Sequence, residues 1–482
     1  MICISVTPKS RTLAPADLLN ASRHCDLIEL CIDHFIKEPN LSELIRAVDK
    51  PILISCRREK DGGKFTGSEA DRLQLLRNAI VAGPAYIELD LDIADRIPRF
   101  GNTRRVISYS SLNRPLSKID DIFEQCWKAK ADVVKVTWPT DDLDAAWPML
   151  AAVTQKRELP VVGFGIGAAG ITFSLLGRKY GSPWVYAALE KGMEAFPGQP
   201  TVWQLKEDYR WEEIHGKTRF LGVVGMGEAE RVSSRVLNAA FRSMEKPIRC
   251  LPLIPNDLGR LQKMLAMMKV NGLLVEPSFT GDLTPLARPG NELSQKSGYM
   301  DILMQKTDGW QGIATLFDAV ADAGERTIQR EGWFGRGAVL VIGHTARARA
   351  AATAFEQAGA AVSLAAPSDN SATAASRECG VRQVPWNAVH DVRIDTLVLA
   401  DHTLTCGQSK GQLNPGILRE RLTVVDLVAY PHESSFAEEA RSRGCRYLEP
   451  SSVFASQLRT QFRTLAGRDL PEEAFRDGIQ LS

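Results

Sequence analysis

The sequence predicts an α/β protein: a (β/α)8 barrel first, then a two-lobed region that carries a Rossmann-type lobe. Two observations carry this expectation. Short apolar runs alternate with longer amphipathic stretches through the first half, and a glycine-flanked apolar run, Gly335–Gly343, opens a strand–turn–helix pattern in the second.

The runs of the first half are Ile2–Val6, Leu27–Ile32, Pro51–Cys56, Tyr86–Leu91, Arg105–Tyr109, Val133–Thr137, Pro160–Phe164 and Trp184–Ala188. They are rich in Val and Ile, as strands buried on both faces should be. Between them lie helix-like segments such as Asp71–Ala82, Ile119–Ala131 and Asp142–Gln155. An open doubly wound sheet is the competing arrangement, but it seldom needs so many regular units. The charged stretch Leu205–Arg219 reads as a linker. Beyond it, Phe220–Val224, Ser233–Met244, Ile248–Pro252 and Asp257–Met267 form a second α/β unit. Helix-like Ala346–Gly359 and the strand Ala361–Ala365 continue the third. Asp395–Ala400 and Leu422–Val428 are further strands, and Glu433–Gly444 and Val453–Ala466 are closing helices. The expected domains are 1–217, 218–334 completed by 446–482, and 335–445.

A chain of 482 residues exceeds one ordinary core. Lys plus Arg (59) nearly cancels Asp plus Glu (58), so no global field favours nucleic acid or an anionic membrane. The nine cysteines are scattered without a CxxC pair, so spacing encodes neither a disulfide framework nor a metal site. No apolar run is long enough to span a membrane, and MICISVTPKS lacks the signature of a secretion signal. The expectation is a cytoplasmic protein acting on a small molecule, with a homodimer compatible.

Lys135 sits inside the run Val133-Val134-Lys135-Val136. Reacting groups of such barrels come from the carboxyl ends of strands, and burial lowers a lysine's pKa, freeing the amine to attack a ketone. The alternative is a structural lysine paired with a carboxylate such as Asp90 or Glu88, and position alone leaves both open.

The first half resembles type I 3-dehydroquinate dehydratase. The matching pieces are Ile28-Glu29-Leu30-Cys31-Ile32-Asp33-His34-Phe35, Cys56-Arg57-Arg58-Glu59-Lys60-Asp61-Gly62-Gly63, Tyr86-Ile87-Glu88-Leu89-Asp90-Leu91, Val133-Val134-Lys135-Val136 and Pro197-Gly198-Gln199. The resemblance implies that Lys135 forms an imine with 3-dehydroquinate, that Glu29 and Arg57 hold its hydroxyls and carboxylate, and that Gln199 closes over it. The family's acid–base histidine falls on Ser110, its orienting carboxylate on Asp90, one carboxylate-binding arginine on Cys31 and another near Phe173-Ser174. Tyr109 or Ser110 with water is left to move the proton.

The second half resembles shikimate dehydrogenase, as in dehydratase–dehydrogenase fusions of aromatic amino acid biosynthesis. The resemblance rests on Lys306-Thr307-Asp308-Gly309, Val341-Ile342-Gly343, Val425-Asp426-Leu427, Tyr430-Pro431 and Gln457. It implies a catalytic Asp308, substrate contacts from Ser233, Asn238 and Gln457, and NADP held at Gly343, Arg347 and Arg349. Phe279 stands where the family has its lysine, and Gly343-His344-Thr345-Ala346 keeps one glycine of the phosphate loop. Bland alternatives accompany these: Asp308 as a helix cap, Arg347 and Arg349 as solvated helix positions, His402 as a solvated loop residue. Three functional readings follow: a bifunctional enzyme, a fusion active only in the barrel, or a metabolite-sensing regulator or scaffold without turnover.

Overall fold

The computed structural model describes residues 1–113, 119–142, 147–328, 333–404, 412–427 and 430–480. Cys406, Val428, residues 143–146 of the expected helix Asp142–Gln155, and the side chain of His402 lie outside the described residues. Contacts divide the chain into one unit of Met1–Phe220 with Met244–Met264 and another of Leu221–Ser243 with Leu265–Ser482.

The first unit holds eight parallel strands: β1 (Ile2–Val6), β2 (Leu27–Cys31), β3 (Ile52–Ser55), β4 (Tyr86–Asp90), β5 (Arg104–Ser110), β6 (Val133–Pro139), β7 (Val161–Ile166) and β8 (Val185–Ala187). Their order, β7-β6-β5-β4-β3-β2-β1-β8, wraps the sheet into a nearly closed barrel. Registers such as Ser5↔Glu29 and Ser108↔Lys135 fix which side chains point inward. Period-two alternation sends Leu27, Tyr86, Val133 and Trp184 from the even strands to the barrel floor. Cys3, Leu53, Val106 and Val162 from the odd strands stack above them. One further step along the even strands brings Glu29, Glu88, Lys135 and Tyr186 into the interior, all at most 4% exposed.

The stretch Leu205–Arg219 is not a solvated linker. It forms short helical turns at Gln204–Asp208 and Trp211–Glu213, and Leu205, Tyr209, Trp211 and Ile214 are buried. Its charges conceal an apolar spacing, and burial of those four side chains outweighs the pull of the charges toward water.

A second sheet comprises β9 (Arg219–Val224), β10 (Ile248–Leu253), β11 (Gly272–Val275), β12 (Ala287–Pro289), β13 (Ile302–Lys306) and β14 (Gly309–Ile313), in the order β10-β9-β11-β13-β14-β12. The β13–β14 hairpin is antiparallel, with Lys306 opposite Gly309. A third sheet comprises β15 (Ala338–Ile342), β16 (Ala361–Ala365), β17 (Arg382–Gln383), β18 (Thr396–Leu399), β19 (Thr423–Asp426) and β20 (Arg446–Leu448). Its order, β17-β16-β15-β18-β19-β20, is all parallel and places the topological switch between β15 and β18. Val339 and Val341 face one apolar cluster and Leu340 and Ile342 the other, so helices cover both faces. This is the Rossmann arrangement expected from Gly335–Gly343. No helix among the described residues is long and apolar enough to cross a membrane.

Candidate active site and the second-unit cleft

Lys135 projects into the barrel with 1% of its surface exposed. Its Nζ donates to Glu88 Oε2 at 2.8 Å and lies 3.8 Å from Glu29 Oε1. Of the two carboxylates weighed as its partner, Glu88 is the one it meets. Burial, reinforced by the Arg57 guanidinium, pushes the lysine down to about 8, against the opposing pull of Glu88. Glu88 is desolvated too, but Arg57 and Lys135 outweigh that and hold it below the usual carboxylate range.

Arg57 enters just past β3. It donates to both Glu88 oxygens at 3.4 and 3.3 Å, pairs with Glu29, and reaches Cys31 Sγ at 3.7 Å. The roof is polar: Ser5 Oγ donates to Glu29 Oε2 at 2.6 Å, and Gln199 Nε2 donates to Ser5 Oγ at 3.0 Å. Aromatic rings close the sides, with Lys135 Nζ 4.4 Å from the Tyr186 centroid and Arg57 5.1 Å from that of Phe196. The geometry thus brings Lys135, Glu29, Arg57 and Gln199 into one enclosed cluster. Ser5, Tyr186 and Phe196 belong to it as well. The inward period of β1 and β8 was the signal that could have found the first two.

Asp90 does not join this cluster. Its Oδ2 accepts from Arg72 at 2.7 Å and lies 3.5 Å from Arg58, while Ser108 Oγ reaches its other oxygen at 3.4 Å. The sequence reading gave Asp90 a catalytic part; the structure gives it two arginines. Ser110 and Tyr109 line a groove with Asp90, Asp61 and Arg58 at the carboxyl end of β5.

In the second unit, a cleft is walled by Glu230, Ser233, Glu276, Arg347, Tyr430 and Gln457 over an apolar base. Ser233 and Gln457 therefore stand together in one wall. Gln457 Nε2 donates to Asp301 Oδ2 at 2.9 Å. Asp301 also accepts from Thr315 N at 2.8 Å, and burial raises it to about 6.

Several expectations fail here. Asn238 is wholly buried in helix Glu228–Ser243 and is not part of the cleft wall. Asp308 is neither catalytic in position nor a helix cap: it occupies the exposed tip of the β13–β14 hairpin, 3.4 Å from the equally exposed Arg288. Asp308-Gly309 is turn chemistry that joins two strands, Gly309 having a φ of +123°. Phe279 lies outside the wall, whereas Glu276, just before its short helical turn, is in it.

The turn after β15 keeps one glycine of a phosphate-cradling loop, and that glycine packs closely on the protein itself. Gly343 has a φ of +128°, but a Cβ there would lie 3.0 Å from Asp401 Cβ and 3.3 Å from Ala348 Cβ. The space that its glycine opens is occupied by the protein's own acid at the switch point. Asp401 in turn accepts from Thr403 N at 3.0 Å and Oγ1 at 2.7 Å. Arg349 is partly buried and engaged by the protein itself. It pairs with Glu378 at 3.1 Å and donates to the Ser297 and His344 carbonyls at 3.4 and 3.2 Å. Arg347 donates to the Leu427 carbonyl and faces the cleft instead.

An eight-stranded parallel barrel enclosing a desolvated lysine among carboxylates, followed by a region with a doubly wound parallel sheet, defines a two-part α/β protein with an enclosed polar site in its barrel. More particularly, residues 2–215 match the family model of type I 3-dehydroquinase. It is 24% identical over 479 residues to the chloroplastic bifunctional 3-dehydroquinate dehydratase/shikimate dehydrogenase of Arabidopsis thaliana, covering 93% of this chain and 79% of that one. The 3-dehydroquinate dehydratase of Dehalococcoides mccartyi is 27% identical over 215 residues, covering 43% of this chain and 94% of its own. The solved dehydroquinate dehydratase and shikimate dehydrogenase of S. pombe aligns with a TM-score of 0.44 at 15% identity, covering 99% of this chain and 98% of that one.

Proposed function

We propose that the barrel dehydrates 3-dehydroquinate to 3-dehydroshikimate through an imine on Lys135. The enclosure of that amine, 2.8 Å from Glu88 and pushed down to about 8, is the observation that carries the reading. The neutral Nζ adds to the ketone carbon and the carbonyl oxygen departs as water. The resulting iminium acidifies the neighbouring C–H; the proton leaves, and the β-hydroxyl departs, protonated, as a second water. Hydrolysis of the iminium then restores the amine and releases the enone. Glu88 holds the amine in place, while Ser5 and Gln199 roof the site against bulk water. Ser110 cannot move protons as an imidazole does, and general acid–base help is worth about 10²–10⁴-fold, so turnover is slow.

For the second half we propose a substrate lobe of 218–334 completed by 446–482, and a Rossmann-type lobe of 335–445 that has lost hydride transfer. The closed approach at Gly343 and the engagement of Arg349 support this. The described cysteines form no disulfide, which supports a reducing compartment such as the cytoplasm.

Borohydride reduction in the presence of 3-dehydroquinate, read by intact mass and peptide mapping, is expected to leave one adduct on Lys135. An unmodified protein overturns the barrel reading. Saturable NADPH binding by fluorescence overturns the reading of the second half.

A further inference from the structure

The cleft of the second unit carries the wrong charges for a hydroxy acid. Glu230 lies in the first turn of helix Glu228–Ser243, and Glu276 directly follows β11. Gly225 lies between them. A Cβ on it would sit 2.9 Å from Glu230 Cγ and 3.0 Å from Glu276 Cβ, so two acids far apart in sequence converge on one wall. Their closeness has an electrostatic signature. Burial, with Glu276 adding repulsion, raises Glu230 to about 7. Arg347, in the first turn of helix Ala346–Gln357, also borders the cleft. Val223, Leu274, Leu316, Val453 and Leu458 supply an apolar floor.

A ligand bearing only a carboxylate meets one arginine against the charge of Glu276 and a Glu230 raised to about 7. A simple amine leaves the arginine unmatched. A molecule with both charges and an apolar body satisfies all three groups. We propose that this cleft binds a free apolar or aromatic amino acid as its zwitterion, the ammonium between Glu230 and Glu276, the carboxylate toward Arg347 and the side chain on the apolar floor. This site is independent of the barrel chemistry, and its ligand is a regulator or cargo of the fusion rather than the dehydratase substrate.

Calorimetric titration of the full-length protein with L-leucine, L-methionine, L-phenylalanine and L-tyrosine tests this, with n-butylamine and shikimate as single-charge probes. At least one amino acid is expected to bind saturably and at least about 10-fold more tightly than either probe. Glu276→Gln is expected to weaken that amino acid by about 10-fold and to strengthen shikimate, a gain that misfolding cannot produce. Barrel adduct formation should be unchanged in the same variant. The proposal is overturned if no amino acid saturates up to about 10 mM, if shikimate binds as tightly as the best amino acid, or if Glu276→Gln leaves the preference intact.

Discussion

Lys135 Nζ and Glu88 Oε2 stand 2.8 Å apart inside the barrel, with the Arg57 guanidinium bridging from Glu88 to Glu29. One ammonium, one guanidinium and two carboxylates balance in a space closed to water. That balance makes the lysine's charge conditional, because burial and Arg57 both favour the neutral amine while Glu88, with a smaller pull from Cys31, opposes them. Imine formation should therefore rise with pH through about 8, where the buried ammonium gives up its proton. Rates of borohydride-trapped adduct measured from pH 6 to 9 check this, and a flat profile contradicts it.

Glu88→Gln removes the partner and leaves two cations facing Glu29 alone. The adduct midpoint should move to lower pH. Unfolding stability should drop by about 3–5 kcal/mol, because a buried pair has been broken from one side. Urea titration and the trapping profile read the two effects separately.

Introducing Ser110→His supplies the proton-moving group that the barrel lacks. Dehydration, followed by the ultraviolet absorbance of the conjugated product, should accelerate by about 10²-fold, the lower end of what general acid–base help yields. The gain stops there because Arg72 and Arg58 engage the carboxylate at Asp90 that would orient the imidazole.

Asp301 is buried and raised to about 6, above the ordinary aspartate value of 3.8. Its contribution is complete below about 4 and lost as pH rises through about 6, since the folded state must then hold a desolvated anion. Stability measured by urea unfolding should fall across that window, and Asp301→Asn should flatten the slope.

Gly343→Ala forces a side chain into a left-handed backbone against Asp401. A loss of about 1–3 kcal/mol is expected in thermal or urea unfolding, with or without NADPH present. Stabilisation of wild type by NADPH would instead restore a nucleotide role to this turn.

The sequence by itself determined the barrel and the centre of the doubly wound lobe, because buried parallel strands must be continuous apolar runs; the short edge strands β17 and β20 carry no such run and were not visible. It also determined that a lysine inside such a run, at Lys135, points into the interior or pairs at its mouth. It went astray where local pattern has two physical outcomes. Asp308-Gly309 suits a hairpin as well as a helix start, and the charges of Leu205–Arg219 masked four buried side chains. Only the tertiary structure decided which charges meet. Glu88 rather than Asp90 reached Lys135, Arg349 turned to Glu378, and Glu230 met Glu276 beside Gly225. Electrostatic partnership depends on distances of a few ångströms in a desolvated space, and separation along the chain carries no information about those distances.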